Sequence, residues 1–295
     1  MRVFAVIPRS SAASVALIRP VTGLRVGRAD EQLLLLRGQQ LHAHPGSRAR
    51  ITALRIARWE AWSPGLADTA AWSAWAREPR ALACEGAPDL RFMPPLERRR
   101  CDQLSRMMLD VAHRCSSDTA ADALPCVFAS RHGSICTTAE LLEQLALDAQ
   151  ISPASFSHSV HNTQLGLFSI FARNRRPSMS VAAAHGTFAH GFLETASLLH
   201  RERGRPVLFV TGDEPLPAPL DALSSAPRCA YALALRLEPG DDLRLSLARA
   251  AGLDSPRAWP DALEFLRWWL GDAPALSLDH TPRRWTWTRA GGARA

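Results

Sequence analysis

The stretch that decides the fold is PSMSVAAAHGTFAHGFLETASLLHR, residues 177–201. Its first part, Met179–Ala184, is a short apolar run that stops at His185-Gly186, which predicts a buried strand followed by an abrupt turn. A helix with one apolar face follows, and its inner residues recur at spacings of three and four: Phe188, Phe192, Ala196 and Leu199. The segment is therefore predicted to form a strand, an elbow and a helix, with His185 at the elbow.

The residue at such an elbow lies at the N-terminus of a helix, where partial positive charge collects. A cysteine placed there would be a thiolate nucleophile, and a serine would need a neighbouring base. His185 is neither of these. Because the helix dipole disfavours an imidazolium, we expect a neutral imidazole that exchanges hydrogen bonds but replaces a thiol poorly in acyl transfer.

Short apolar runs and amphipathic segments alternate along the rest of the chain. The predicted strands are Ile51–Trp62, Cys126–Ser130, Val207–Val210, Ala230–Leu237, Asp241–Arg249 as a pairing partner of the preceding one, and two closing strands in residues 275–289. The predicted helices begin near Leu96, at Thr137 or Thr138, and at Pro260. The first of these helices has one apolar face: Cys101, Leu104, Met108, Val111 and Cys115. Strands that alternate with helices predict an α/β fold with buried strands.

The composition excludes several kinds of chemistry. All 35 basic residues are arginine, which excludes Schiff-base catalysis and a P-loop lysine. The six cysteines form no C-x-x-C pair, which favours reduced thiols over disulfides or a zinc ribbon. No window of about 18 apolar residues occurs, and the first residues lack the apolar core of a signal peptide, so we expect a cytoplasmic protein without a membrane span.

The positive charge is concentrated at the beginning of the chain. The formal net charge is +7, and residues 1–50 contribute +6 of it through eight arginines and two acids. The remainder is close to neutral and shows no basic groove interleaved with aromatics, so we expect no nucleic-acid partner. Residues 1–48 mix Pro, Gly, Ser and Arg, and we expect a poorly ordered extension or a segment read from a misassigned start codon.

The elbow segment Pro177–His185 resembles the active-site elbow of β-ketoacyl synthases, the condensing enzymes of the thiolase fold. In that family a Pro-Ser pair precedes the strand and a nucleophilic cysteine follows an alanine, so His185 occupies the cysteine position. Other segments also resemble the family: Leu54–Trp59 with Ser63–Leu66, Leu96–Arg100, and Ser159–Thr163 with Gly166. Three further segments are similar to the short, chain-length-factor-like subunits of aryl polyene (xanthomonadin-type) pigment pathways: Val127–Gly133, Ser157–Asn162 and Asp213–Pro217.

Two departures from the synthase pattern matter. The nucleophile is replaced by His185, and the second half of a ketosynthase, which supplies two histidines and a lysine, is missing. Both departures indicate that the chain does not condense acyl groups alone. The resemblance therefore implies a non-catalytic, chain-length-factor-like partner that forms a heterodimer with a full-length β-ketoacyl synthase, accepts chains from an acyl carrier protein and completes the acyl-chain tunnel at the interface.

The resemblance also implies an α/β, thiolase-like half-fold: a mainly parallel five-stranded sheet with covering helices. It divides the chain into the extension 1–48, a synthase-like domain at 49–240, and a closing strand, helix and strand at 241–295. No metal, cofactor or catalytic residue is implied.

Seven residues are candidates for the functional sites. The substrate-tunnel and interface candidates are His161, Asn162, His185 and Phe188, and the carrier-protein contacts are Arg98, Arg99 and Arg100. An alternative hypothesis is a stand-alone thioester-processing enzyme in which His185, His161 or His132 acts as a general base. His158 and His161 are three residues apart and are expected to share a helical face, but a third metal ligand is not evident.

Overall fold

A computed structural model gives the fold of residues 49–119, 124–148, 150–218, 220–223, 228–250 and 257–289, and the extension predicted at residues 1–48 lies outside them. The strands in this part of the chain are β1 (Ala49–Trp62), β2 (Cys126–Ala129), β3 (Ser178–Val181), β4 (Val207–Asp213), β5 (Tyr231–Pro239), β6 (Leu243–Arg249), β7 (Ala275–His280) and β8 (Arg283–Arg289). The helices are α1 (Thr69–Arg77), α2 (Pro95–Arg98), α3 (Gln103–Ser116), α4 (Ile135–Asp148), α5 (Pro153–Ser159), α6 (Thr163–Phe171), α7 (Thr187–Arg201) and α8 (Asp261–Leu270).

The strands form one mixed sheet in the order β3-β2-β4-β5-β1-β6-β8-β7. β2 pairs in parallel with β3 and β4, and the other neighbouring strands are antiparallel. The α/β prediction is confirmed, but a mainly parallel sheet of five strands is wrong in number and direction. Apolar runs indicate where strands lie, whereas strand direction depends on connections that the pattern does not contain.

The long first strand explains the extra size of the sheet. β1 has 14 residues, and it pairs with β5 through its second half and with β6 through its first half. Leu54 is the point of overlap, because it lies opposite both Pro239 of β5 and Leu243 of β6. The expected pairing of Asp241–Arg249 with the preceding strand is therefore wrong, since β1 separates the two. The two closing strands are confirmed as the hairpin β7–β8.

Helices cover both faces of the sheet. On one face, α3 and α6 pack against buried side chains of β2 and β4 such as Phe128 and Val210. On the other face, α1, α7 and α8 enclose an aromatic core: Trp72, Trp75, Phe188, Phe192, Phe209, Phe265, Trp285 and Trp287. This arrangement places the elbow between β3 and α7 at the rim of a well-packed sheet.

The helix predicted near Leu96 is divided in two. α2 has four residues, and α3 begins at Gln103 because the side chain of Asp102 accepts a hydrogen bond from the Ser105 N–H at 2.7 Å, which caps the helix. The apolar face predicted for α3 is confirmed, since each of its members is buried. In the described ranges, no helix is long and apolar enough to cross a membrane.

Candidate functional site

The loops that follow the three parallel strands meet at one edge of the sheet. Ala129 at the end of β2 lies opposite Val181 of β3 on one side and Thr211 of β4 on the other. In open α/β sheets the edge beyond the carboxyl ends of the parallel strands is where ligands bind. The candidate site is therefore the surface at the carboxyl ends of these strands, formed by the loops after Ala129, Val181 and Asp213.

The predicted elbow is present between β3 and α7. A single 3₁₀ turn, Ala184–Gly186, connects them, and Ala184 has a φ of +48°, in the left-handed region that disfavours residues with a side chain. The Thr187 hydroxyl holds the turn, because it accepts from the Ala183 N–H at 3.0 Å and donates to the Ala184 carbonyl at 2.8 Å. His185 is consequently presented at the surface.

A guanidinium group contacts the imidazole of His185. Nη2 of Arg131, in the loop after β2, lies 3.4 Å from its Nε2. A guanidinium only donates, so Nε2 of His185 is the acceptor in this contact. Burial, with the charges of Arg131 and His185, lowers the pKa of the neighbouring His132 to about 4. A base that already accepts from a cation is poorly placed to take a proton through the same nitrogen.

A half-buried carboxyl group organises the loop that carries Arg131. Asp213, the last residue of β4, accepts hydrogen bonds from the Ser130 hydroxyl at 2.8 Å, the Arg131 N–H at 2.8 Å and the Tyr231 hydroxyl at 3.1 Å. Burial raises the pKa of Asp213, and these donors oppose the rise. Tyr231 is the sole tyrosine of the chain. Asp213 therefore joins the ends of β2 and β4 to the start of β5.

His161 braces the same loop from its other side. Its Nε2 donates to the Ser130 carbonyl at 2.8 Å, and its ring lies against Gly133, where a Cβ would be 3.2 Å from the ring carbon Cδ2. Gly133 also has a φ of +62°, so glycine suits this turn on both counts. Two of the four tunnel candidates, His161 and His185, thus lie beside one loop.

The other two tunnel candidates lie elsewhere. Asn162 is the half-buried residue that precedes α6. Phe188 is 4% exposed and packs among Phe192, Phe209 and Phe265 in the core. In the structure of the single chain, Phe188 is thus part of the core and does not face the elbow surface.

The arginine candidates lie around the short helix α2. Arg99 and Arg100 are exposed, whereas Arg98 is half-buried and 3.8 Å from Asp89. A cavity of about 270 Å³ opens beside Arg100, with these other lining residues: Asp102, Ser105, Thr137, Ala154, Ser155 and His158. His158 lies on α5 and His161 lies beyond its end, so the expectation that they share a helical face is wrong.

A buried hydrogen-bonded pair behind the elbow was not predicted from the sequence. Nε2 of His280 lies 2.5 Å from Oδ2 of Asp261, and both side chains are buried. The His280 ring also packs against Gly186, where a Cβ would be 3.5 Å from its Cγ. The residues of this pair come from β7 and α8, so no local pattern could have indicated it.

Five of the six thiols of the chain are unsuited to act as a nucleophile. Burial raises the thiol pKa to about 11 at Cys101 and to about 12 at four others: Cys115, Cys126, Cys136 and Cys229. A cysteine acts as a nucleophile through its thiolate, which these values disfavour near neutral pH. Across the described residues, no cluster of three His, Cys, Asp or Glu side chains could hold a metal ion.

The family is decided by a sequence model. The model of the β-ketoacyl synthase N-terminal domain matches residues 72–288. This chain belongs to the β-ketoacyl synthase N-terminal-domain family. The predicted resemblance is thereby confirmed. No curated protein sequence matches the chain.

Solved structures with the same fold include several ketosynthase complexes. A chain of the ketosynthase ApeO in complex with its chain length factor ApeC, from Xenorhabdus doucetiae, matches with a TM-score of 0.70 and 28% identity, over 80% of this chain and 99% of that chain. The ishigamide ketosynthase/chain length factor matches at 0.56 and 15%, over 68% of both chains. The AntDE:AntF complex, a type II PKS acyl-carrier protein with its ketosynthase, matches at 0.52 and 14%, over 65% of this chain and 64% of that one. The thiolase-like fold is thus confirmed.

Proposed function

We propose that this chain is a non-catalytic, chain-length-factor-like subunit that pairs with a full-length β-ketoacyl synthase. In the heterodimer it completes the tunnel that holds the growing acyl chain, which arrives on an acyl carrier protein. The pathway we propose is the synthesis of an aryl polyene or a similar fatty-acid-like polyene.

The observation that carries the proposal is the imidazole at the elbow. By the resemblance, His185 stands where the family has its cysteine. Its Nε2 accepts from Arg131, and burial raises the thiol pKa of five of the six cysteines to about 11 or 12. Uptake of an acyl group requires a thiolate nucleophile at neutral pH. A partner must therefore supply it.

The lengths of the matched chains support the same proposal. The match to the ApeO–ApeC complex covers 80% of this chain and 99% of that one, so the matched chain is as short as the domain described for this protein. That complex pairs a ketosynthase with its chain length factor. By analogy, a short chain of this family functions beside a ketosynthase.

The open edge at β3 is a suitable place for the partner. Among the residues that the structure describes, β3 is the outermost strand at one side of the sheet. The carbonyls of Pro177 and Val181 accept from β2 at 3.1 and 3.3 Å, so the backbone of Ser180 faces away from β2. The Ser180 hydroxyl is buried and lacks a hydrogen-bond partner among the described residues. An edge strand with unpaired backbone groups is a template for pairing with another chain.

Exposed apolar side chains on two helices form a second candidate surface. α4 and α5 pack against each other, and they and the residue after α5 expose large apolar groups: Leu142 at 60%, Leu145 at 46%, Phe156 at 54% and Val160 at 37%. Monomeric proteins rarely expose contiguous apolar surface of this kind without a partner. We assign this surface, with the edge of β3, to the ketosynthase.

The individual residues keep separate proposed roles. His161, Asn162, His185 and Phe188 are proposed to lie at the tunnel and interface. Arg98, Arg99 and Arg100 are proposed to contact the acyl carrier protein. Exposed guanidinium groups pair well with carboxylates, which is the charge complementarity that an acidic carrier would use.

The proposal is tested by co-expression with the cysteine-containing ketosynthase encoded nearest to this chain. Sedimentation velocity of the purified material should give one species with the mass of a 1:1 complex, and Leu142→Glu with Leu145→Glu should dissociate it. If this chain sediments as a monomer while the ketosynthase alone makes products of unchanged length, the proposal fails. Mass spectrometry of the products made by the complex tests the polyene assignment separately.

A further inference from the structure

A strongly basic surface lies at the amino ends of the parallel strands, whereas the elbow lies at their carboxyl ends. It consists of two loops, Arg173–Arg176 after α6 and Arg201–Arg205 at the end of α7, and we call it the basic edge. These nine residues contain six arginines, all exposed, and one acid, Glu202. The proposed function does not use them.

The two loops frame the start of the parallel strands. One leads into β3 and the other into β4, and β2 lies between these strands. Asn174, which is buried, fixes the first loop by donating to the Leu124 carbonyl at 2.7 Å. Two strand spacings separate the loops, which is about 10 Å. Because α6 and α7 cover opposite faces of the sheet, the arginines flank the sheet edge from both faces.

Two acidic residues near this edge, Glu194 and Asp118, are already paired. Arg201 contacts Glu194 at 3.1 Å, but the other five arginines of the basic edge have no ion pair within the part of the chain that the structure describes. Asp118, which follows α3, pairs with Arg236 and lies 3.8 Å from Arg58. Most of the positive charge of the basic edge therefore has no ion-pair partner among the described residues.

Two of these arginines have a left-handed backbone conformation. Arg173 and Arg203 each follow a helix with a positive φ, of +52° and +55° respectively. Glycine is the usual residue at such a helix end, because a Cβ makes the left-handed conformation costly. Residues held in strained conformations cluster at functional sites, so two arginines in this position point to a use for their side chains.

We propose that the basic edge docks on a membrane surface that carries anionic phospholipids. Guanidinium groups bind phosphate oxygens with two parallel hydrogen bonds, and arginines near an anionic leaflet each add to the attraction. The charges are spread along an edge, which suits a plane of many headgroups better than one small anion. Ile170, 73% exposed and one turn before Arg173, supplies an apolar side chain at the rim that can enter the headgroup boundary.

The test uses the full chain without any partner, so its result is independent of the proposed heterodimer. Flotation should recover the protein with vesicles of phosphatidylcholine containing about 30% phosphatidylglycerol, but not with phosphatidylcholine alone. Salt at about 0.5 M should release it, because screening shortens the reach of the charges.

A double variant separates the role of the side chains from folding. Arg173→Gly with Arg203→Gly removes two charges and relieves two left-handed residues, so the melting temperature should be maintained or rise. Vesicle binding should fall by about tenfold or more. The control is Arg77→Gln with Arg80→Gln, two exposed arginines outside the basic edge, which should keep vesicle binding within about twofold.

Three results with vesicles would overturn the proposal. The first is equal recovery with neutral and anionic vesicles, and the second is unchanged binding by the double glycine variant. The third is competition by inorganic phosphate at constant ionic strength, which would indicate a discrete anion site. Tighter binding to duplex DNA than to vesicles through the same arginines would assign the surface to nucleic acid.

Discussion

At the scale of the residue, the chemistry of the elbow decides what the chain can do. His185 is held at the surface by a turn that Thr187 fixes, and its Nε2 accepts from Arg131. Asp213 and His161 brace the loop that carries this arginine. The elbow is thus held by several hydrogen bonds, and the group that it presents is the imidazole of His185.

A substitution at the elbow tests whether His185 takes part in chemistry. In the heterodimer, His185→Ala should keep the condensation rate within about threefold, since general acid–base catalysis contributes 10²–10⁴-fold and no proton transfer is assigned to this imidazole. His200→Ala, an exposed histidine at the other end of α7, is the matched control. A loss of more than about a hundredfold, confined to His185→Ala, would instead support the general-base hypothesis.

The buried carboxyl of Glu214 predicts a dependence of stability on pH. Burial, and next the charge of Asp102, raises its pKa from 4.5 to about 7. The folded state therefore holds a proton that the unfolded state releases, and stability falls as the pH rises from about 4.5 to 7. Glu214→Gln should be more stable than the wild type at pH 8 by on the order of 2–3 kcal/mol, and the difference should vanish below about pH 4.5.

Urea unfolding at several pH values between 4 and 8 measures this difference. Glu143→Gln, which changes an exposed glutamate on α4, should show no comparable dependence. A constant offset between Glu214→Gln and the wild type across the pH range would show that the carboxyl does not titrate between the folded and unfolded states as described.

At the scale of the element, local patterns located the strands and helices well. The elbow, the apolar face of α3 and the closing hairpin β7–β8 all follow from spacings within a few residues. The neighbours of β1 could not be predicted from local spacings, because this strand of 14 residues pairs with two others that are close to each other in sequence. The pairing of His280 with Asp261 depends on the same tertiary arrangement.

The edge of β3 gives a test that separates pairing from folding. Ser180→Pro removes a backbone N–H that points away from β2, so the chain should fold with a melting temperature within about 5 °C of the wild type. Isothermal titration should show binding to the ketosynthase weakened by about tenfold or more, because an edge hydrogen bond is lost and the proline ring blocks close approach.

Ser180→Thr keeps the N–H and serves as the control for that experiment. It should bind the ketosynthase with nearly wild-type affinity. If the proline variant folds and binds as tightly as the threonine variant, the ketosynthase does not pair with the β3 edge.

At the scale of the whole molecule, the fold presents separate surfaces. The elbow and the arginines of α2 are assigned to the acyl chain and its carrier, and the β3 edge with α4 and α5 to the ketosynthase. The basic edge is assigned to a membrane. The sequence pattern predicted the elbow because strand, turn and helix are contiguous. The sequence pattern did not predict the exposed apolar surface. Leu142 and Phe156 are of the same residue types as core residues, and only the tertiary structure shows that they are exposed.

The central claim is that this chain contributes to acyl-chain elongation only together with a ketosynthase. Mass spectrometry of carrier-bound products, after incubation with acyl- and malonyl-loaded acyl carrier protein, tests it directly. The account predicts no acylation of the purified chain and no elongation by it. It further predicts that adding it to the ketosynthase changes the lengths of the products. Elongation of malonyl units by the purified chain alone would contradict the account.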